Sequence, residues 1–539
     1  MDIAALIYVS ICCMLLPFNQ FRQELDGREY PFIGLSALYA LYLILSGYSL
    51  PLNAINIAAI SYALWLCASL LWTSHPHSAH ELFNWLSYMV LFLAAQALRI
   101  DIVLWFIFPV GLLFAGMQIY RYLIKRGDPL FILGNTSHSA AFILSGLMAC
   151  IWLSGINTGV LSLILSIFIL PLIFAVTATK SKGGISAMLI SLFFMSIFLK
   201  SPFLLSVSIA VLLSIGLWMF VNRRHNWGVT GSLRERKLIF AAALVIIKDK
   251  PLIGYGLQMF RKLMPFATAR LYKEKWFDKL IKERSAEYKG DNIYSNKVHN
   301  DILETIVEVG IIGLALLIYL FSQFQLDVYS AGFFVMAVVS SLWFFYFRNT
   351  HTAVPFWAVM GAVAAGNVNN GAGYSMLILK AVMAAIIVVI ITLVFKKFIG
   401  LVHYTEAVLT PDINKKLDLT QKAINCDPNN GDYLNYHAFN SFLVNPAAAL
   451  LYTMRGLLVY DGNRQIWGLW NTLCRLIFNM NKLQIAGWAN QNAFSFFPDH
   501  QESKDIKNAI ETMKLTLNGN FKEAEEKLDK MRGGTGGVK

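Results

Sequence analysis

Long apolar runs, most of them close to the length of a bilayer crossing, recur along this chain, and no other feature restricts its fold as strongly. In hydrocarbon every backbone N–H and C=O must be satisfied internally, so a spanning segment is a helix or a strand of a closed barrel. Barrel strands alternate over about 10 residues, whereas a membrane helix needs about 20 continuous apolar ones. The runs here, at roughly 3–17, 32–49, 54–72, 83–98, 101–120, 136–154, 158–177, 184–199, 203–221, 302–323, 327–346, 352–366 and 374–398, are of the helical kind. The expectation is an all-α, polytopic membrane helical bundle of about 12–13 transmembrane helices, the short run at 352–366 being the one that decides the count. Composition agrees: the chain of 539 residues is 57% hydrophobic and 14% charged, against roughly 25% charged for a soluble domain. The first run has no basic segment before it and no small-residue cleavage site, so no cleavable signal peptide is expected.

The formal net charge is +13. In a soluble protein that excess suggests nucleic acid. Beside a bilayer it points to membrane lipids or a phosphate-bearing substrate, with no nucleic-acid partner. Cys12, Cys13, Cys67 and Cys150 fall within apolar runs and read as packing residues. Cys426 and Cys474 lie in the polar tail, where pairing depends on the compartment.

Four regions follow: membrane helices over 1–221, a large polar loop over 222–300, further membrane helices over 301–400, and a soluble helical tail over 401–539. The loop is too long to be an ordinary connector. Within it, 232–249 reads as a helix with Ser232 as its N-cap and Pro251-Leu-Ile-Gly-Tyr-Gly256 as the breaker. A second, highly charged helix is expected over 270–289. In the tail, turn-like pairs at Asp427-Pro428, Asp461-Gly462 and Pro498-Asp499 recur every 34 to 38 residues or so, near the tetratricopeptide period. Asn520 to Glu526 resembles the start of such a repeat; an unrelated helical tail fits the same punctuation.

With thirteen spans and a cytoplasmic N-terminus, both the large loop and the tail are extracytoplasmic. The positive-inside rule points the other way, because Arg22, Arg28, Arg121, Lys125, Lys182 and Arg348 then sit outside. A site for a membrane-anchored diphosphate on the outer face gives those cations a reason to be there.

Chemistry concentrates in three segments. The first runs from Val298-His299-Asn300-Asp301 through Glu304 and Glu308 to Gly310 and Gly313. A histidine at a loop–membrane junction titrates near neutral pH and can take a proton from a hydroxyl. Glu304 and Glu308 lie one turn apart and either can orient the imidazole. Alone, His299 and Asn300 equally suit an interfacial histidine beside a helix cap. The second is Arg236 with Phe240 and the Pro251–Gly256 turn, where a guanidinium can grip a phosphate with two hydrogen bonds. The third is Thr177-Ala-Thr-Lys-Ser-Lys182-Gly-Gly184, a point charge beside glycines, or simply a tight turn with snorkelling lysines. His75, His77 and His80 lack an accompanying set of ligands, so no metal is expected. A phosphate loop, a dinucleotide fingerprint and a paired-acid metal motif are all missing, and no cofactor is expected.

In this order and spacing the segments resemble the O-antigen ligase superfamily of bacterial membrane glycosyltransferases, which includes lipopolysaccharide O-antigen ligases, O-linked protein oligosaccharyltransferases and related polymerases. The matching pieces are Thr179-Lys-Ser-Lys182-Gly183, Arg236 with Phe240 and Pro251–Gly256, and His299-Asn300 through Gly313, with softer matches at Leu71–Ser74 with Pro76 and at Gly134-Asn135. The resemblance covers about residues 60–325. Lys182 stands where the family commonly has arginine, and Phe240 where tryptophan is common.

The resemblance implies a glycan donor linked through diphosphate to a polyprenol, the large loop on the periplasmic face, and a bacterial inner-membrane location. It implies His299 and Arg236 as catalytic residues, and Lys182, Arg261 and Asn300 as substrate-binding residues, with Arg270 and Arg284 in reserve. The acceptor hydroxyl can belong to lipid A-core, to a protein such as a pilin, or to a second lipid-linked glycan, which makes a polymerase. The competing class is a transporter or flippase of the lipid-linked glycan, disfavoured by the scarcity of intramembrane charge.

Overall fold

A computed structural model describes residues 2–14, 29–46, 53–73, 78–124, 136–200, 206, 209, 229–271, 295, 297–343, 346–365, 392, 395–442, 444–459, 501–517, 520 and 522–523. Among them the secondary structure is helical, with no strands. In chain order, α1 (Ile3–Met14), α2 (Glu29–Leu45), α3 (Ala54–Ser69), α4 (Ser78–Ala95), α5 (Ile100–Ile124), α6 (Thr136–Ile156), α7 (Gly159–Ala178) and α8 (Lys182–Phe198) build the first half of the bundle. The loop region holds α9 (Val229–Asp249) and α10 (Met259–Leu271), and α11 (Asp301–Ser322), α12 (Val328–Ser341) and α13 (Thr350–Ala365) return to the bundle. The tail contains α14 (Ile413–Cys426), α15 (Gly431–Ser441), α16 (Pro446–Val459) and α17 (Gln501–Leu517).

Four of these helices, α5, α6 from Ser137, α7 and α11, are long and apolar enough to cross a membrane. The remaining apolar helices of the bundle are shorter, and the expected spans at 203–221 and 374–398 lie outside the described residues apart from isolated positions. The all-α membrane bundle is therefore the observed fold. Helix α7 shows why the solvent must be lipid. It buries Leu165, Ile169 and Leu172 against the core yet leaves Leu163 66% and Ile167 63% exposed. Such an apolar outer face is a liability in water and the normal surface of a spanning helix. Inside the bundle, small residues bring backbones together: a Cβ on Gly111 of α5 would stand 2.6 Å from Cα of Gly146 on α6.

Two local expectations need correction, and one helix is added. Helix α9 begins at Val229, so Ser232 lies inside it and is not its cap. The next helix, α10, covers Met259–Leu271 and was not foreseen; of the charged helix expected over 270–289, residues 272–289 lie outside the described set. Cys67 is exposed on α3 instead of packed, while Cys12, Cys13 and Cys150 are buried as read. In the tail, Asp427-Pro428 does form a turn between α14 and α15, but Cys474 and the later pairs at 461 and 498 lie outside the described residues.

Candidate functional site

The Pro251–Gly256 turn and the Glu308–Gly313 segment are two halves of one unit. Helix α11 is broken at Gly310, whose φ is 72°. A break strands amides and carbonyls that the helix would otherwise pair. The turn after α9 supplies partners for them. Tyr255 N–H donates to the Val307 carbonyl at 2.9 Å and Gly256 N–H to Glu308 at 2.6 Å. In return, Ile311 N–H donates to Pro251 at 2.9 Å and Ile312 N–H to Leu252 at 3.2 Å. Any Cβ at Gly310 would stand 2.0 Å from the Leu252 carbonyl oxygen, so the close approach needs glycine as much as the positive φ does. Helices α3 and α4 join the same unit: Ser78 Oγ of α4 donates to the Leu257 carbonyl at 2.6 Å, and the Trp65 indole of α3 donates to the Val309 carbonyl at 2.9 Å.

Around this frame the structure gathers Lys182, Arg236 and His299. Ser181 caps α8 by accepting from Gly184 N–H at 3.2 Å, which places Lys182 at the exposed first position of the helix. Arg236 projects from α9 and its guanidinium carbon lies 6.0 Å from the centroid of the Trp343 ring. Trp343 in turn lies against Gly183, where a Cβ would meet its Cβ at 2.8 Å. The charge of Arg236 acts on both Lys182 and His299. Burial, and then the Arg236 guanidinium, pull the imidazole of His299 from its ordinary 6.5 down to about 4. His299 is therefore neutral at pH 7 and able to accept a proton. Its backbone has φ 59°, a left-handed conformation that costs a residue with a side chain about 1–2 kcal/mol.

Asn300 does not face outward to a ligand with free amide atoms. Its Oδ1 accepts from Leu303 N–H at 2.9 Å as the N-cap of α11, and its Nδ2 donates to the Leu342 carbonyl at 3.1 Å. It thereby ties the start of α11 to the segment carrying Trp343. Arg261, also expected at the substrate, is 6% exposed and lies 3.6 Å from Asp432 of α15. Arg270 is held by Asp249, at 2.5 and 3.4 Å. Arg284 lies outside the described residues. His75 and His77 do too, while His80 bonds Glu29 at 2.7 Å.

Beneath His299 is a buried charge network that the sequence reading missed. Glu81, Asp301, Glu304, Glu308 and Arg348 are each at most 2% exposed. Arg348 pairs with Glu308, stands 3.6 Å from both Asp301 and Glu304, and donates to Thr305 Oγ1 at 2.9 Å. Lys297 reaches both oxygens of Glu81 at 3.2 Å and Glu304 at 3.6 Å. Burial works against the Lys297 ammonium, but Glu81, Glu304 and Glu308 outweigh it and hold its pKa above the ordinary value. Gln258 adds two further bonds, from its backbone N–H to Glu308 at 2.8 Å and from Nε2 to Glu81 at 2.6 Å. Glu304 and Glu308, expected to orient the imidazole, instead spend their oxygens on this network. Arg348 had read as an outer-loop cation. The available signal was Glu81, an acid at the mouth of an apolar helix, which demands a partner.

A family model for O-antigen ligase matches residues 167–318. That segment contains Lys182, Arg236, the Pro251–Gly256 turn and His299 through Gly313, so the family resemblance read from those residues holds there. Glu81 and Arg348 lie outside it. No curated protein matches the chain.

Proposed function

We propose, from a chain whose residues 167–318 are of the O-antigen ligase family, that this protein moves a glycan from a polyprenyl-diphosphate donor to an acceptor hydroxyl. The observation that carries the reading is Arg236, whose charge acts both on a neutral, half-buried His299 and on a second cation, Lys182. Arg236 and Lys182 bind the diphosphate and stabilise its growing charge as the sugar–phosphate bond breaks. His299 accepts the proton of the acceptor hydroxyl while that oxygen attacks the anomeric carbon from the opposite face, inverting its configuration. Cationic side chains neutralise the leaving group, so the scheme requires no metal.

The same reading sets the orientation: inner membrane, with the 222–300 region on the periplasmic face. Asp432 pairs with Arg261 in that region, which supports a periplasmic tail beside the site. A helical tail there favours a protein hydroxyl as acceptor over lipid A-core, by analogy with repeat modules that bind proteins. Deleting the gene and inspecting lipopolysaccharide ladders and glycoprotein masses together tests both levels. Loss of protein-linked glycan with an intact ladder is the expected result. Loss of the ladder alone reassigns the acceptor to lipid, and unchanged patterns in both contradict the transferase.

A further inference from the structure

The left-handed backbone of His299, with φ 59°, does not persist in a residue with a Cβ unless its surroundings hold it. The restraint after it is Asn300, capping α11 through Leu303 N–H. Before it, Ser295 Oγ donates to the Lys297 carbonyl at 2.6 Å, and one carboxylate reaches both Lys297 and Val298. Glu304 Oε2 accepts from Val298 N–H at 3.2 Å, and Glu304 Oε1 lies 3.6 Å from Lys297 Nζ. Glu304 thus grips one neighbour of His299 by its backbone and the next by its side chain. The carboxylate is itself fixed, fully buried and 3.6 Å from Arg348. Lys297 is fixed a second time by Glu81 at 3.2 Å, on α4 of the bundle. Val298 is fully buried in the small core that α9 and α10 build with the start of α11. A carboxylate next to a catalytic histidine is ordinarily expected to take the imidazole N–H; here one oxygen takes the Val298 N–H and the other stands 3.6 Å from both Lys297 and Arg348.

We propose that Glu304 is a positioning residue for the transfer reaction, holding the Lys297–Asn300 turn so that His299 stays in its left-handed conformation within the field of Arg236. This rests on the reading of His299 as the base. Arg236 and Lys182 hang from α9 and α8 and do not depend on that turn, so donor binding is separable from base placement. Loosening the turn also lets water reach the imidazole. The charged groups around it are Arg236 and Glu235 on α9, Lys182 on α8, and Lys297 and Asp301 beside it in the chain.

The test uses the full chain, purified, with a polyprenyl-diphosphate-linked glycan as donor. Glu304→Ala should lower kcat about 100-fold, the effect of a reacting group displaced by an ångström, with donor KM unchanged. The acid limb of kcat/KM should climb from about 4 toward the ordinary value of His near 6.5. Glu304→Gln keeps an acceptor for Val298 N–H but loses the pair with Lys297, and should lose about tenfold, the gap between a charged and a neutral acceptor. Should Glu304→Ala not fold, Glu304→Gln carries the test, also with the raised limb. Wild-type kcat and an unmoved limb in either folded variant overturn the proposal, as does a loss confined to KM. His299→Ala in the same assay separates the two ideas. If it is inactive while the Glu304 variants are normal, only the positioning role falls; if it retains full transfer, the base assignment falls instead.

Discussion

At the scale of single residues, the decisive quantity is the protonation of His299. Its ordinary pKa of 6.5 is pulled down to about 4, by burial first and Arg236 second. As the proposed base it must be neutral, so kcat/KM should be flat through neutrality and fall only as the pH approaches about 4. Arg236→Gln removes one of the two depressing causes. Its acid limb should therefore move up, in addition to any loss of donor binding; an unmoved limb refutes the coupling. The stability consequence has a definite sign. Between pH 6.5 and about 4 the unfolded chain binds a proton at this position that the folded chain refuses. Acidification through that window therefore favours unfolding. Arg348 makes a second residue-scale prediction. Arg348→Met leaves Asp301, Glu304 and Glu308 buried around a missing cation, a change that costs roughly 3–5 kcal/mol. Thermal unfolding in detergent should show a large drop in midpoint, whereas Arg99→Met, which removes an exposed pair with Asp101, should show almost none.

At the scale of elements, the site depends on a broken helix and the turn that repairs it. Gly310→Ala drives a Cβ into the Leu252 carbonyl and demands a positive φ, so folded yield and activity should both collapse. Gly116→Ala is the matching control, since nothing stands within 4 Å of its Cβ; equal tolerance of both changes would contradict the interlock. This is also where the limits of sequence reading are physical. Pro251-Leu-Ile-Gly-Tyr-Gly256 and Glu308–Gly313 were each legible, because proline and glycine punctuate locally. Their union was not, because it is made of backbone hydrogen bonds between residues more than 50 apart, which leave no periodicity. Arg236 and His299 were legible through motif order. Glu81, Lys297 and Arg348 were not, since a buried ion pair is specified by tertiary proximity and each partner alone looks like an ordinary loop or interface charge. Asn300 was found, but its amide serves the cap of α11 and the Leu342 carbonyl.

At the scale of the whole molecule, the tail touches both the bundle and the loop helices. Tyr30 and Ile33 near the start of α2 pack with Leu401 at the base of the tail, and Arg261 of α10 meets Asp432 of α15. Topology reporters placed near residue 285 and after the last residue should give the same answer, the periplasmic one; opposite answers would break the architecture. Hydropathy marked the apolar helices because lipid imposes a length that soluble cores do not, and four of those described, α5, α6 from Ser137, α7 and α11, have that length. The charge bias of the loops points to the inverse orientation; under the proposed one, a site for an anionic donor accounts for the loop cations. The most direct measurement is glycan transfer by the purified chain, from a polyprenyl-diphosphate donor to an acceptor hydroxyl, in single turnover alongside a folded His299→Ala variant. With His299 as the proposed base, the wild type gives inverted product and the variant reacts at least about 100-fold more slowly, the lower range of a lost general base; transfer at the wild-type rate by His299→Ala rules that base out.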